Sequence, residues 1–147
     1  MPVTLALALA LAAAARLGAA SDPLPGCYAL RVGPWTGPPP AWQLPPVVRL
    51  SADSGGNGRG PLAPALALAP PYGVRLTRAR MSGWERAGRD SVVLGWSDGF
   101  TGIVIRAART GGELRGEART LFDERGTPTS SAPVTATRAA CPAGLAA

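Results

Sequence analysis

The chain has no histidine and no lysine, two cysteines, two tyrosines, two phenylalanines and four tryptophans in 147 residues. Each scarcity excludes chemistry. Without histidine there is no Ser-His-Asp triad, no imidazole base and no His-ligated zinc or iron. Without lysine there is no Schiff base, and a serine nucleophile lacks its other usual activator. Two cysteines alone cannot make a zinc site. Glu113 and Glu117 are four residues apart on an alternating segment, near 13 Å along an extended chain, too far for paired acid–base work. No catalytic residue, metal site or cofactor is expected, and the chain reads as a non-enzyme.

The positive charge is all arginine. Fifteen basic against nine acidic residues leave a formal +6 and a pI near 10.9. The arginines stand singly along the sequence, several alternating with glutamate, so a solvated basic surface is expected and no nucleic-acid partner. Long apolar runs are also missing beyond residues 3–15. That run, followed by Gly18-Ala19-Ala20 with small residues at −3 and −1, reads as a signal peptide over residues 1–20, cleaved before Ser21. It is too short for a stable membrane span. The expected locale is secreted or periplasmic, with lipid anchoring through Cys27 in the lipobox-like Leu24-Pro25-Gly26-Cys27 as the alternative.

One domain is expected over residues 21–147. Its organising stretch is 90–120. Asp90–Trp96, Phe100–Arg109 and Glu113–Thr120 are apolar or alternating runs separated by Ser97-Asp98-Gly99 and Thr110-Gly111-Gly112. They predict two consecutive hairpins, because glycine supplies the positive φ of tight turns. In the third run Leu114, Gly116, Ala118 and Thr120 share one face, and Glu113, Arg115, Glu117 and Arg119 share the other. Further strands are predicted at 26–32, 47–50, 72–81 and 133–140. A proline-rich loop is expected at 33–46, covering one end of the domain, and a glycine-rich loop at 51–60, which lacks the Gly-Lys-Ser/Thr of a phosphate loop. Residues 61–69, split by Pro64, are expected to be extended or irregular, and the tail after Cys141 has no reason to be ordered beyond its bond. Cys27 and Cys141, near the two ends of the domain, suit a disulfide, with two separate buried thiols as the alternative.

A glycine opening an aromatic-bearing strand just after the signal peptide, Gly26-Cys27-Tyr28, resembles the start of lipocalins and related calycin barrels. Cys27-Tyr28 stands where lipocalins carry tryptophan. With the repeated hairpins, the resemblance to lipocalin- and avidin-type proteins implies an all-β antiparallel meander barrel of about seven or eight strands. The small inward set Gly102, Gly116 and Ala118, facing Tyr28, Trp96, Ile103 and Ile105, is compatible with a space for a hydrophobic or amphipathic small molecule, or with ordinary barrel filling. In the ligand-binding reading Tyr28, Trp96 and Ile105 line the pocket, Trp35 and Trp42 form a lid, and Arg78 and Arg80 stand at a mouth able to hold an anion; in the structural reading the two indoles fold onto the barrel and plug it, and the two arginines are solvated at a strand end. The alternative is a structural or interaction protein of the cell envelope with a filled core.

Overall fold

A computed structural model describes residues 23–53, 55–68, 81–122 and 129–145. The expected signal peptide, Arg78, Arg80 and most of the strand expected at 72–81 lie outside the described residues.

The chain is all-β. Its strands are β1 (Gly26–Val32), β2 (Trp42–Gln43), β3 (Val47–Leu50), β4 (Arg59–Ala63), β5 (Ala67–Leu68), β6 (Met81–Arg86), β7 (Ser91–Ser97), β8 (Thr101–Thr110), β9 (Glu113–Phe122) and β10 (Ser131–Ala139). Eight of them close a barrel in the order β1-β10-β9-β8-β7-β6-β4-β3, and every neighbouring pair is antiparallel. Closure leaves the eight-stranded sheet without an edge strand, which answers the association hazard of an open β-sheet. The remaining two strands, β2 and β5, pair with each other. Both belong to connections at the same end of the barrel, where Trp96 and the β7–β8 turn also lie.

Alternation builds the core. Along β7 Val92, Leu94 and Trp96 are buried, and along β9 Leu114, Ala118 and Thr120 are. The turns use glycine as expected: Gly99 has φ +103°, and Gly111 and Gly112 have φ +58° and +86°. Two other glycines serve the sheet itself. A Cβ on Gly116 would stand 1.9 Å from the Arg106 carbonyl oxygen and 2.6 Å from Ala107 Cα; one on Gly102 would stand 2.1 Å from the Trp96 carbonyl oxygen. Neighbouring backbone therefore occupies the space that these small residues were expected to open. They are the places where the sheet is bent tightly onto itself.

The glycine-rich loop is shorter than expected, because Arg59 and Gly60 already belong to β4. Within it, the Asp53 carboxylate accepts backbone N–H bonds from Gly55 (3.2 Å), Asn57 (3.1 Å) and Gly58, so the acid is spent on holding its own loop. Residues 82–86 are strand β6, and the turn into β7 starts only at Ala87, whose N–H donates to the Ser91 carbonyl at 2.9 Å. The last strand begins at Ser131, two residues earlier than expected. Cys27 and Cys141 form a disulfide, with Cα atoms 5.2 Å apart and a sequence separation of 114. The bond uses the Cys27 sulfur that a lipid anchor would need. The tail is ordered beyond this bond: Ala143–Leu145 forms a 3-10 turn, and Arg49 Nη1 donates to the Leu145 carbonyl at 2.9 Å.

Candidate functional site

The barrel interior is the first place to look for a ligand. Tyr28, Trp42, Trp84, Trp96 and Ile105 belong to one continuous buried cluster with Leu24, Leu30, Val48, Leu50, Leu94 and Ile103. Each polar tip in that cluster has a partner. Tyr28 Oη donates to the Leu24 carbonyl (2.8 Å), Trp42 Nε1 to Thr101 Oγ1 (3.0 Å), Trp84 Nε1 to the Ser51 carbonyl (3.0 Å) and Trp96 Nε1 to the Pro64 carbonyl (3.0 Å). Indole and phenol groups are buried readily when their N–H or O–H is bonded, and here all four are. Among the described residues no buried side-chain nitrogen or oxygen lacks a hydrogen bond. Nothing polar in the interior is held waiting for a guest.

The residues expected to line a pocket are part of this buried cluster. Tyr28, Trp96 and Ile105 are in contact with the rest of the core, and Trp42, expected either in a lid or folded onto the barrel as a plug, is a buried residue of β2 in the same cluster. Trp35 is half-buried and packs against the same cluster from the proline-rich connection. That connection is fastened by a backbone bridge between Thr36 and Ser131 and by the Ser130 hydroxyl, which donates to the Pro38 carbonyl. At the other end Leu24 is buried, and Arg138 holds the approach to it by donating to the Pro25 carbonyl (2.7 Å) and the Pro23 carbonyl. Sequence reasoning left out Trp84. Its signal was the alternation Ser82-Gly83-Trp84, obscured by the glycine.

The outer surface is different. Gly83 and Gly95 face each other across β6 and β7 in register, on the side of the sheet away from Trp84 and Trp96. A Cβ on Gly95 would meet nothing within 4 Å, and one on Gly83 only the Gly60 carbonyl oxygen at 3.4 Å. Neither glycine is required by a turn or a close approach. They line a groove of about 870 Å³ together with Val93, Val104 and Leu121, the polar Asn57, Arg59 and Glu85, and parts of Trp84 and Trp96, so Trp96, expected at a ligand site, borders this groove.

On β9 the exterior charge is self-paired. Arg115 bonds Glu113 at 2.9 Å and Arg119 bonds Glu117 at 2.6 Å, each within β9. The hydrogen bond from Arg119 lowers the Glu117 carboxyl below its ordinary value, and the same contact raises Arg119. In the β7–β8 turn, Asp98 accepts the backbone N–H of Thr101 (2.7 Å) and of Phe100 (2.8 Å), and these bonds hold its carboxyl below the usual range. Burial pushes Asp53 upward, but the N–H groups of Gly58, Asn57 and Gly55 together bring it below its ordinary value. Both aspartates act on loop geometry. Among the described residues no group of three or more His, Cys, Asp or Glu is placed to hold a metal ion.

No known protein family, curated protein or solved structure matches this chain. The functional reading thus rests on the geometry alone.

Proposed function

We propose that this protein is an exported interaction module of the cell envelope, a filled barrel that works through its outer surface and has no catalytic role. The observation that carries this is the interior: three buried indoles and a buried phenol, each hydrogen-bonded, leave no side chain there for a guest to satisfy. An enclosed ligand would have to displace Trp42 or Trp96 and leave the Thr101 hydroxyl or the Pro64 carbonyl without its donor. The disulfide fits an extracellular or periplasmic locale, where such bonds persist.

The glycine-floored groove favours a second reading, in which a small amphipathic molecule binds on the outside of β6, β7 and β8. Its volume of about 870 Å³ lies within the range of small-molecule sites, and glycine in a strand commonly marks a close approach by a ligand or another backbone.

Native mass spectrometry of protein purified from its source separates these readings from an enclosed ligand. The filled-barrel reading expects the mass of the disulfide-bonded chain alone. A stoichiometric adduct that survives a Gly95→Leu substitution, which fills the outer groove, would contradict it. An adduct lost in Gly95→Leu would favour the groove.

A further inference from the structure

Cys27 lies on the outer face of β1. Its neighbour Tyr28 belongs to the core cluster, and strand alternation turns Cys27 the other way. Cys27 is nonetheless only 2% exposed, whereas Cys141, to which it is bonded, is exposed. The two sulfurs of one bond therefore differ in access. In thiol–disulfide exchange the attacking thiolate approaches in line with the bond it breaks, so which sulfur can be reached decides which is attacked. Attack on Cys141 comes from solvent and expels Cys27 on the protein side; attack on Cys27 would have to come through the sheet.

The expelled sulfur has a cation beside it. Cys27 stands opposite Arg49 of β3 in register, and directly opposed residues share a face, with Cβ atoms about 5 Å apart. Arg49 is half-buried on that outer face, between the core residues Val48 and Leu50. The elements around Cys27 are β1, β3, β10 and the segment 141–145, and none of them carries an aspartate or glutamate. Their charged residues are Arg31, Arg49 and Arg138. A thiol next to an arginine ionises more readily, and a more acidic thiol leaves a disulfide faster.

The segment carrying Cys141 is lightly held. Its 3-10 turn, Ala143–Leu145, has no buried residue, and the bond from Arg49 Nη1 to the Leu145 carbonyl (2.9 Å) ties it to the barrel. Strand β1, by contrast, pairs with β10 over Cys27–Val32 and with β3 over Gly26–Ala29. Opening the disulfide thus frees the tail while the ladders on both sides of β1 remain.

We infer that Cys27–Cys141 is a thiol-exchange site, where a small thiol is taken up on Cys141 and Cys27 is released as a thiolate beside Arg49. The thiolate of the small thiol attacks Cys141 Sγ and forms a new S–S bond. The Cys27–Cys141 bond breaks, and its electron pair leaves on Cys27 Sγ. One disulfide replaces another, with no net oxidation or reduction. The inference goes beyond the interaction-module reading and does not depend on it.

Glutathione added to the disulfide-bonded protein at neutral pH, then acid quenching, maleimide blocking of the released thiol and peptide mass mapping, tests it. Glutathione on Cys141 with maleimide on Cys27 should exceed the reverse arrangement by about tenfold or more. Exchange should be about threefold or more slower in Arg49→Gln and close to the parent rate in Arg49→Lys. Were Arg49 only a clasp on Leu145, Arg49→Gln would loosen the tail and exchange faster. In Cys141→Ser, the midpoint of Cys27 alkylation by iodoacetamide against pH should fall below the ordinary thiol value of about 8.5, and adding Arg49→Gln should raise it. Adducts split evenly or favouring Cys27, no adduct until denaturant is present, unchanged or faster exchange in Arg49→Gln, or a Cys27 midpoint at or above the ordinary value would each overturn the inference.

Discussion

Trp96 Nε1 donates to the carbonyl oxygen of Pro64 at 3.0 Å, joining the end of β7 to the connection that follows β4. Trp96 is 1% exposed, so one side chain supplies both core volume and an anchor for the chain at Pro64. Trp96→Ala should lose about 3–5 kcal/mol, the usual cost of emptying a large aromatic site. Trp96→Phe should lose less, about 1–3 kcal/mol, chiefly through the unpaired carbonyl. Urea unfolding followed by circular dichroism measures both, and an equally stable Trp96→Ala would contradict the inward placement.

Gly116 and Gly95 should respond oppositely to alanine. At Gly116 the new methyl would stand 1.9 Å from the Arg106 carbonyl oxygen, a rigid backbone atom, so Gly116→Ala should destabilise by several kcal/mol or fail to fold. At Gly95 the methyl meets nothing within 4 Å, so Gly95→Ala should gain about 0.5–1 kcal/mol from lower unfolded-state entropy. The same denaturation experiment reads both, and a similar effect at the two positions would sink the distinction.

These two glycines also show how far the sequence reaches. Period-two patterning and Gly turns locate β7, β8 and β9 to within a residue or two, and β1 and β3 without error. Cys27 and Cys141 announced their pairing by flanking the domain. The interior was harder, because a small residue on an inward face has the same sequence signature whether it leaves a cavity or admits a neighbouring backbone. Gly116 does the second, while Gly102, paired with exposed Leu121 next to inward Ile103, is not on the inward face expected for it. Strand β4 was hidden because Arg59-Gly60-Pro61 reads as loop. In the structure Gly60 makes room for the Trp84 indole, to which an added Cβ would stand 2.8 Å, and Pro61 contributes only its carbonyl, which accepts from Ser51 N at 3.0 Å. The exposure of Phe100 and Phe122 was unreadable because exposure at strand ends depends on register, and local pattern does not carry it.

Acid should weaken the β7–β8 turn. The folded-state Asp98 carboxyl titrates below its ordinary 3.8, because the Thr101 and Phe100 N–H groups stabilise the charged form. Its contribution is therefore complete above that ordinary value and is lost as pH falls through the lower folded value. Asp98→Ala should cost about 1 kcal/mol at pH 7, for the lost turn hydrogen bonds. The difference in Tm between parent and variant should narrow as pH falls below about 3.8. A difference that stays constant from pH 7 to pH 2.5 would contradict this role.

Reduction of Cys27–Cys141, or Cys27→Ser with Cys141→Ser, should lower stability by about 4–5 kcal/mol in the chain-entropy account, given the 114-residue separation. Guanidinium unfolding with and without reductant measures it. A loss below about 1 kcal/mol would mean that barrel closure, and not the bond, restrains the two ends.

The filled interior is tested most directly by hydrogen exchange at the indole nitrogens, followed by NMR on protein carrying ¹⁵N-tryptophan. Trp42, Trp84 and Trp96 donate from buried positions, whereas Trp35 is half-buried and has no hydrogen bond from its indole among the described residues. Three strongly protected indole N–H signals and one that exchanges quickly are expected, none of them shifting when medium-chain fatty acids are added. Fast exchange at Trp42 and Trp96, with shifts that saturate on ligand addition, would mean that the barrel holds an accessible cavity.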